Sequence, residues 1–254
     1  MGRNRAAWLL VAASVAGGCA VGGDPRPTPG PLDSVVRETT APGPTTSRSA
    51  TDPLPLCGEI GSGTTPRDCR LQSHDAVGVT FEVRRGAAST ITIDVLADGA
   101  RVQTLTERDV RHPSDPSLRD VDGDGRDELL VPIQLATANT RFAVYRATES
   151  ATEFHRSGEL TGVGIDTTED GYVVTPARVD YASWDIAFLR FTDDTLDPVV
   201  TAQVRLLPSE GGAPPVSECT LVDAGGLHST GLTSLEAARE RFCAEPSVQR
   251  VMRR

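Results

Sequence analysis

Short runs of alternating apolar and polar residues fill most of the chain. "TITIDVL", "RFAVYRA" and "DIAFLRF" place Ile, Val or Phe at every second position, the period of a β-strand. In RFAVYRA the alternation puts Phe142, Val144 and Arg146 on one face and Ala143 and Tyr145 on the other. A face that ends in Arg146 is buried only in its middle, as in a blade or sandwich strand. These three runs are the middle strands of three similar units, which begin at Val77, Glu128 and Tyr172. Each unit reads as a strand, a loop of about six residues, a strand, a turn of about four and a third strand. Ile91, Phe142 and Ile186 fall at matching places, 51 and 44 residues apart, a period that suits propeller blades or meander units better than a helical solenoid. Asp98 and Gly99 mark a hairpin turn, and Asp193 and Asp194 occupy the same place in the third unit. The predicted fold is all-β: β-propeller-like or meander repeats of three to four strands, with one C-terminal helix. That helix lies in "TSLEAARERFCAEP", with Thr233 as cap and Glu236 three residues on. Leu235, Ala238 and Phe242 share its buried face, and Pro246 stops it.

Residues 20–55 break the pattern. Pro, Thr, Ser and Gly dominate, and no apolar periodicity is present. Such a segment is a tether, and at about 3.1 Å per residue it spans up to ~100 Å. Before it, Arg3 and Arg5 precede the apolar stretch "AAWLLVAASVA", whose 11 residues are too short to cross a bilayer and suit an export signal. The stretch ends in Ala16, Gly17, Gly18 and Cys19, small residues before a lone Cys, which resembles the lipobox of bacterial lipoproteins. The resemblance implies that Cys19 is acylated and becomes the mature N-terminus, although Ala16 stands where Leu is usual. An ordinary secretory signal cut elsewhere is the alternative. The expected division is a lipoprotein signal peptide over residues 1–18, the acylated Cys and tether over 19–55, and an all-β domain with its C-terminal helix over 56–254. The expected location is the cell membrane, lipid-anchored on its extracytoplasmic face.

An exported chain forms disulfides, so Cys57, Cys69, Cys219 and Cys243 suggest two bridges, with three possible pairings. Cys57 with Cys69 would staple a polar loop that has little to bury, and Cys219 with Cys243 would tie the last strand to the helix. Cys57 with Cys243 is the second choice. Zinc is disfavoured, because none of the four is in a CxxC pair and the chain has four His.

Charge narrows the function. The chain carries −10, or −12 once Arg3 and Arg5 leave with the signal, and all 25 of its basic residues are Arg. With no Lys there is no Schiff-base, Walker-type or SxxK chemistry. With no basic cluster to neutralise phosphates, nucleic acid is not an expected partner.

The sharpest motif is "DVDGDGRDELLV". Asp120, Asp122 and Asp124 alternate, Gly123 and Gly125 allow tight bending, and a strand follows at once. Oxygens on alternate residues of a turn converge on one centre, the arrangement of a calcium loop with ligands at positions 1, 3, 5 and, through a backbone carbonyl, 7. An EF-hand would need Glu at position 12, where Val131 stands, so Glu128 at position 9 must close the site. The stretch resembles the FG-GAP and VCBS-type calcium-loop repeats of β-propeller proteins. That resemblance implies calcium held by Asp120, Asp122, Asp124, the carbonyl of Arg126 and Glu128, with Asp127 turned away. A weaker copy, "DTTEDGYVV", offers Asp166, Thr168 and Asp170 but has Val174 where the last carboxylate belongs, so residues 166–171 read as a degenerate, empty site.

No catalytic pattern emerges. His74, His112, His155 and His228 form no HExxH, no GxSxG elbow occurs, and His155 reads as a surface residue of a strand. The chain is therefore expected not to be an enzyme. It reads as a lipid-anchored envelope binding module with a structural calcium site, recognising an envelope protein or glycan. The alternative is an envelope inhibitor or immunity protein against a lysozyme-like hydrolase, to which lipoproteins with the same repeats are similar; an uncharacterised hydrolase ranks below both. Tyr181 and Trp184 are the best aromatic pair for a contact surface, with a core role for Trp184 slightly favoured.

Overall fold

The computed structural model describes residues 53–58, 67–112, 114–136, 138–207 and 216–253. Cys19, the signal and most of the tether lie outside them. The alternating runs form three antiparallel meanders. The first sheet holds β1 (Cys69–Gln72), β2 (Thr80–Arg85), β3 (Ile91–Ala97) and β4 (Ala100–Glu107) in that order. The second holds β5 (Ser117–Arg119), β6 (Glu128–Ala136), β7 (Asn139–Ala147) and β8 (Phe154–Gly162). The third holds β9 (Asp166–Thr167), β10 (Val173–Arg178), β11 (Ser183–Thr192), β12 (Thr195–Leu207) and β13 (Val216–Asp223), again in chain order. The fold is all-β as the alternation requires, and of the two arrangements the repeat allowed it is the meander: the sheets do not close into a barrel or a propeller. The strands missing from the sequence reading are β1, β5 and β9, with two to four residues each, too short for alternation to register.

The sheets stack, with a core in each gap. Phe81, Ile93 and Val95 of the first sheet meet Leu129, Val131, Ala143 and Tyr145 of the second. The opposite face of the second sheet, with Leu130, Val144 and Leu160, meets Val173, Leu189 and Leu196 of the third. The far face of the third sheet, with Trp184, Ile186 and Phe188, is covered by the C-terminal helices through Phe242, Val248 and Val251. The middle strand β7 is thus buried on both faces, where the alternation alone suggested one partly buried face. Val144 and Tyr145 lie in different cores although adjacent, as a strand of period two demands.

The C-terminus corrects the sequence reading twice. Two short helices are present, α1 (Leu235–Cys243) and α2 (Pro246–Met252). Pro246 does not end the helical region; it sits in the first turn of α2, where its missing N–H costs nothing. The cap of α1 is Ser234, not Thr233: its Oγ accepts from Ala237 N–H at 3.1 Å. Leu235, at the first position of the helix, is 63% exposed, while Ala238 and Phe242 are buried. The two disulfides are Cys57–Cys69 and Cys219–Cys243. The second fastens α1 to β13.

Candidate metal centre

The acidic motif is the tip of the β5–β6 hairpin. Leu118 pairs with Leu129 and Arg119 with Glu128, so residues 120–127 bulge from the end of the ladder. Gly123 and Gly125 adopt φ of 80° and 86°, which only glycine takes without strain, and their N–H groups turn inward. Gly123 N–H donates to Asp120 Oδ1 at 2.7 Å and Gly125 N–H to Asp120 Oδ2 at 2.9 Å. Asp122 Oδ1 accepts from Asp124 N–H at 3.3 Å, and Asp124 Oδ1 accepts from Arg126 N–H at 2.8 Å. Val121, fully buried in the core between the second and third sheets, anchors the loop.

The result is a converging set. One carboxylate oxygen from each of Asp120, Asp122 and Asp124 lies within 4.8 Å of the others, the one group of this kind among the described residues. Two oxygens bound to one calcium at 2.3–2.6 Å lie at most about 5 Å apart, so the spacing fits that ion. Glu128 is not in the set but stands behind it. Its side chain is fully buried, Oε2 accepts from Val121 N–H at 3.0 Å, and Oε1 is buried with no hydrogen-bond partner. Burial, opposed by the Val121 hydrogen bond and reinforced by the charges of Asp122 and Asp124, pushes its carboxyl up to about 8. Burial also raises Asp122, against the pull of Arg146.

One cation is built in. Arg146, at the end of β7, places Nη2 2.9 Å from Asp122 Oδ2 and 2.7 Å from Asp124 Oδ2, with Nε 3.8 Å from Glu128 Oε1. Its guanidinium lies 4.3 Å from the centre of the Phe191 ring, and Nη1 reaches the Asp193 carbonyl at 3.5 Å. Burial works against its charge, but the Asp124 hydrogen bond and the surrounding carboxylates hold it firmly protonated. The sequence reading missed Arg146, whose place follows only from strand register: Leu129 pairs with Tyr145, and the next step along the antiparallel hairpin sets Arg146 opposite Glu128.

The neighbours of the motif turn away from it. The Arg126 side chain leaves the loop, its Nε 3.2 Å from Asp75 Oδ2 and its Nη2 donating to the Ala151 carbonyl at 2.8 Å. Asp127 Oδ2 accepts from His74 N–H at 2.6 Å, holding the loop to the β1–β2 connection. The weaker acidic copy lies alongside. Thr167 Oγ1 donates to the Val121 carbonyl at 2.8 Å, and a Cβ on Gly171 would stand 3.1 Å from the Asp122 carbonyl. In that copy Asp170 pairs with Arg241 at 2.5 Å and Asp166 with Arg250 at 3.1 Å, while Val174 is fully buried.

His155 is half-buried, not a plain surface residue. Ser157 Oγ, at 3.2 Å, and the Asp194 carbonyl, at 2.8 Å, both meet its Nε2, and Nδ1 is buried without a partner. A nucleophile relay needs the orienting carboxylate on the other nitrogen, so this Ser, His and Asp do not form one. Trp184 is in the core, 5% exposed, and Tyr181 is 86% exposed.

No protein family matches the chain, and no curated protein matches it. Among solved structures it is similar to a Xanthomonas type IV secretion system related protein, at 10% identity and a TM-score of 0.41, over 65% of this chain and 94% of that one. A likeness at that level assigns neither fold nor function.

Proposed function

We propose that the protein is a lipid-anchored cell-envelope binding module whose β5–β6 hairpin holds a structural calcium ion. The observation that carries the metal is the buried, unpartnered Glu128 Oε1 behind three converging aspartates. Asp120, Asp122, Asp124 and Glu128 offer up to four negative charges against the one positive charge of Arg146, an excess that a divalent ion would relieve. With the carbonyl of Arg126 they make an all-oxygen donor set, which suits calcium. The bound ion would neutralise the loop and fix the hairpin tip; it has no chemical step to perform.

The binding role is supported by the other end of the molecule. There the β10–β11 loop exposes Val179 and Tyr181, and the facing ends of β12 and β13 expose Leu207 and Val216. The β6–β7 turn joins this end, since Asn139 and Arg178 exchange two hydrogen bonds of 2.8 Å. Exposed apolar groups gathered away from the ion site suit recognition of an envelope protein or glycan. The export signal and tether supply the lipid anchor at Cys19, and the two disulfides suit an extracytoplasmic location.

The test is a thermal melt of the whole chain in EGTA and in millimolar calcium. A folded-state ligand at a hundred times its Kd adds about 2.7 kcal/mol, which raises Tm by several degrees in a domain of this size. Asp122→Ala should remove the rise. Asp127→Ala should lower Tm in both buffers, through the lost His74 contact, yet keep the rise. Equal midpoints for the wild type in the two buffers would remove the metal. Labelled palmitate entering the wild type but not Cys19→Ala checks the anchor.

A further inference from the structure

Arg146 and a metal ion compete for the same oxygens. Both oxygens of Asp120, and the Oδ1 atoms of Asp122 and Asp124, already accept backbone N–H groups of the loop. The oxygens that point out of this frame are Asp122 Oδ2, Asp124 Oδ2 and Glu128 Oε1. Arg146 Nη2 holds the first two and its Nε stops 3.8 Å short of the third. The planar guanidinium, with its fixed donor directions, here leaves Glu128 Oε1 without a hydrogen bond, whereas calcium accepts six to eight oxygens in flexible geometry. The guanidinium also has a second foothold outside the cluster, over the Phe191 ring and beside the Asp193 carbonyl, both on the third sheet.

Resting on the calcium reading above, we propose that Arg146 is a tethered counter-ion which calcium displaces, so that this residue sets the calcium affinity of the site. Without calcium the guanidinium holds Asp122 and Asp124 together and keeps the hairpin tip formed. With calcium it gives up the Asp122 and Asp124 oxygens and rests on Phe191 and the β11–β12 turn at Asp193. The exchange links occupancy of a second-sheet loop to a contact with the third sheet. It also lowers affinity: apparent binding is weakened by the fraction of molecules in which the arginine does not already occupy the oxygens.

The experiment is calorimetric titration of calcium chloride into the wild-type chain and into Arg146→Gln and Arg146→Lys, each checked for native circular dichroism. Arg146→Gln should bind calcium with a Kd roughly ten-fold lower or more, the factor expected if arginine holds the site in about nine molecules of ten. Arg146→Lys, which keeps the charge but loses the fork, should fall between. The arginine Nε–H resonance of Arg146 in the wild type should shift along the same titration, which tests the idea even if both variants unfold. Calcium binding by the wild type with an unmoved Arg146 resonance, or a Kd in Arg146→Gln equal to or weaker than wild type, overturns the competition and leaves the calcium site standing. Absence of binding by the wild type and both variants overturns the calcium reading itself.

Discussion

Two acidic hairpin tips lie side by side in this protein and resolve the same difficulty differently. In residues 120–128 the carboxylates converge: three Asp within 4.8 Å, one shared arginine, and a buried Glu whose second oxygen has no partner. In residues 166–171 they disperse. The turn is closed by its own backbone, with Gly171 N–H to the Thr168 carbonyl and Thr168 N–H to the Tyr172 carbonyl, both at 3.0 Å. Its acids then go separately to Arg250 and Arg241 on the helices. The spacing of the two motifs is nearly the same. What separates them is position 9. Glu128 pairs with Arg119 and leaves eight residues to curl outside the ladder, whereas Val174 pairs with Asp166 itself and draws the first acid into the strand. An apolar ninth residue zips this hairpin; the charged one leaves the other open around the Arg146 guanidinium.

The second tip depends on the helices, so the largest expected effect is on them. Phe242 is 1% exposed and packs against the rings of Tyr172 and Phe188, with centroids 5.6 and 4.8 Å away. Phe242→Ala should cost about 3–5 kcal/mol, read by denaturant unfolding. The remaining folded protein should still gain stability from calcium, because among the described residues no helix residue makes a hydrogen bond or ion pair to residues 120–128. A calcium response lost together with Phe242 would show that the two tips act as one unit. Next in size is the staple. Replacing Cys219 and Cys243 by Ser opens a bridge of sequence separation 24, which should cost about 3 kcal/mol. Limited proteolysis should then cut near α1 first, while the first tip keeps its calcium response.

The intermediate effect separates the tips directly. Calcium should raise the Tm of Asp166→Ala and Asp170→Ala by as many degrees as it raises the wild type, about 2–4 °C per kcal/mol of binding. Glu128→Gln keeps the shape of the buried side chain and removes its charge. It should leave the EGTA midpoint unchanged or higher, since an ionised buried carboxylate is costly, and should abolish most of the calcium rise. A full rise in Glu128→Gln would place the closing ligand elsewhere.

The parts of this comparison differ in how far they could be read in advance. The alternation of β3, β7 and β11 and the spacing of Asp120, Asp122 and Asp124 are local, and both are visible in the letters. So is the contrast between Glu128 and Val174. Arg146 was out of reach because its role depends on a cross-strand register, and register depends on turn length: the β6–β7 turn has two residues, not six, and a bulge follows Pro132. Arg241 and Arg250 were further out of reach, since they lie 71 and 84 residues from their partners and arrive only through the packing of Phe242 and Val251. Short strands and helix caps failed for a simpler reason, that two to four residues carry no clear period.

The smallest effect is the most informative about the dispersed tip. Arg250 is 58% exposed at the side chain and its partner Asp166 is 32% exposed, so their ion pair is largely solvated. Arg250→Ala should cost under about 1 kcal/mol, the usual worth of such pairs. Arg241 also pairs with Glu245, the N-cap of α2, so Arg241→Ala should cost somewhat more. The double variant leaves Asp166, Glu169, Asp170 and Glu245 together in a cleft of about 540 Å³ without either arginine. If the arginines were all that kept calcium out, the double variant would bind a second ion. The geometry argues otherwise: Val174 supplies no oxygen, and the hairpin is already closed by backbone hydrogen bonds that a coordinating loop would have to break. Calorimetry should therefore return one calcium per chain for the wild type and for Arg241→Ala with Arg250→Ala alike. A stoichiometry of two in the double variant would mean that arginine, and not the ninth residue, decides which of these tips is a metal site.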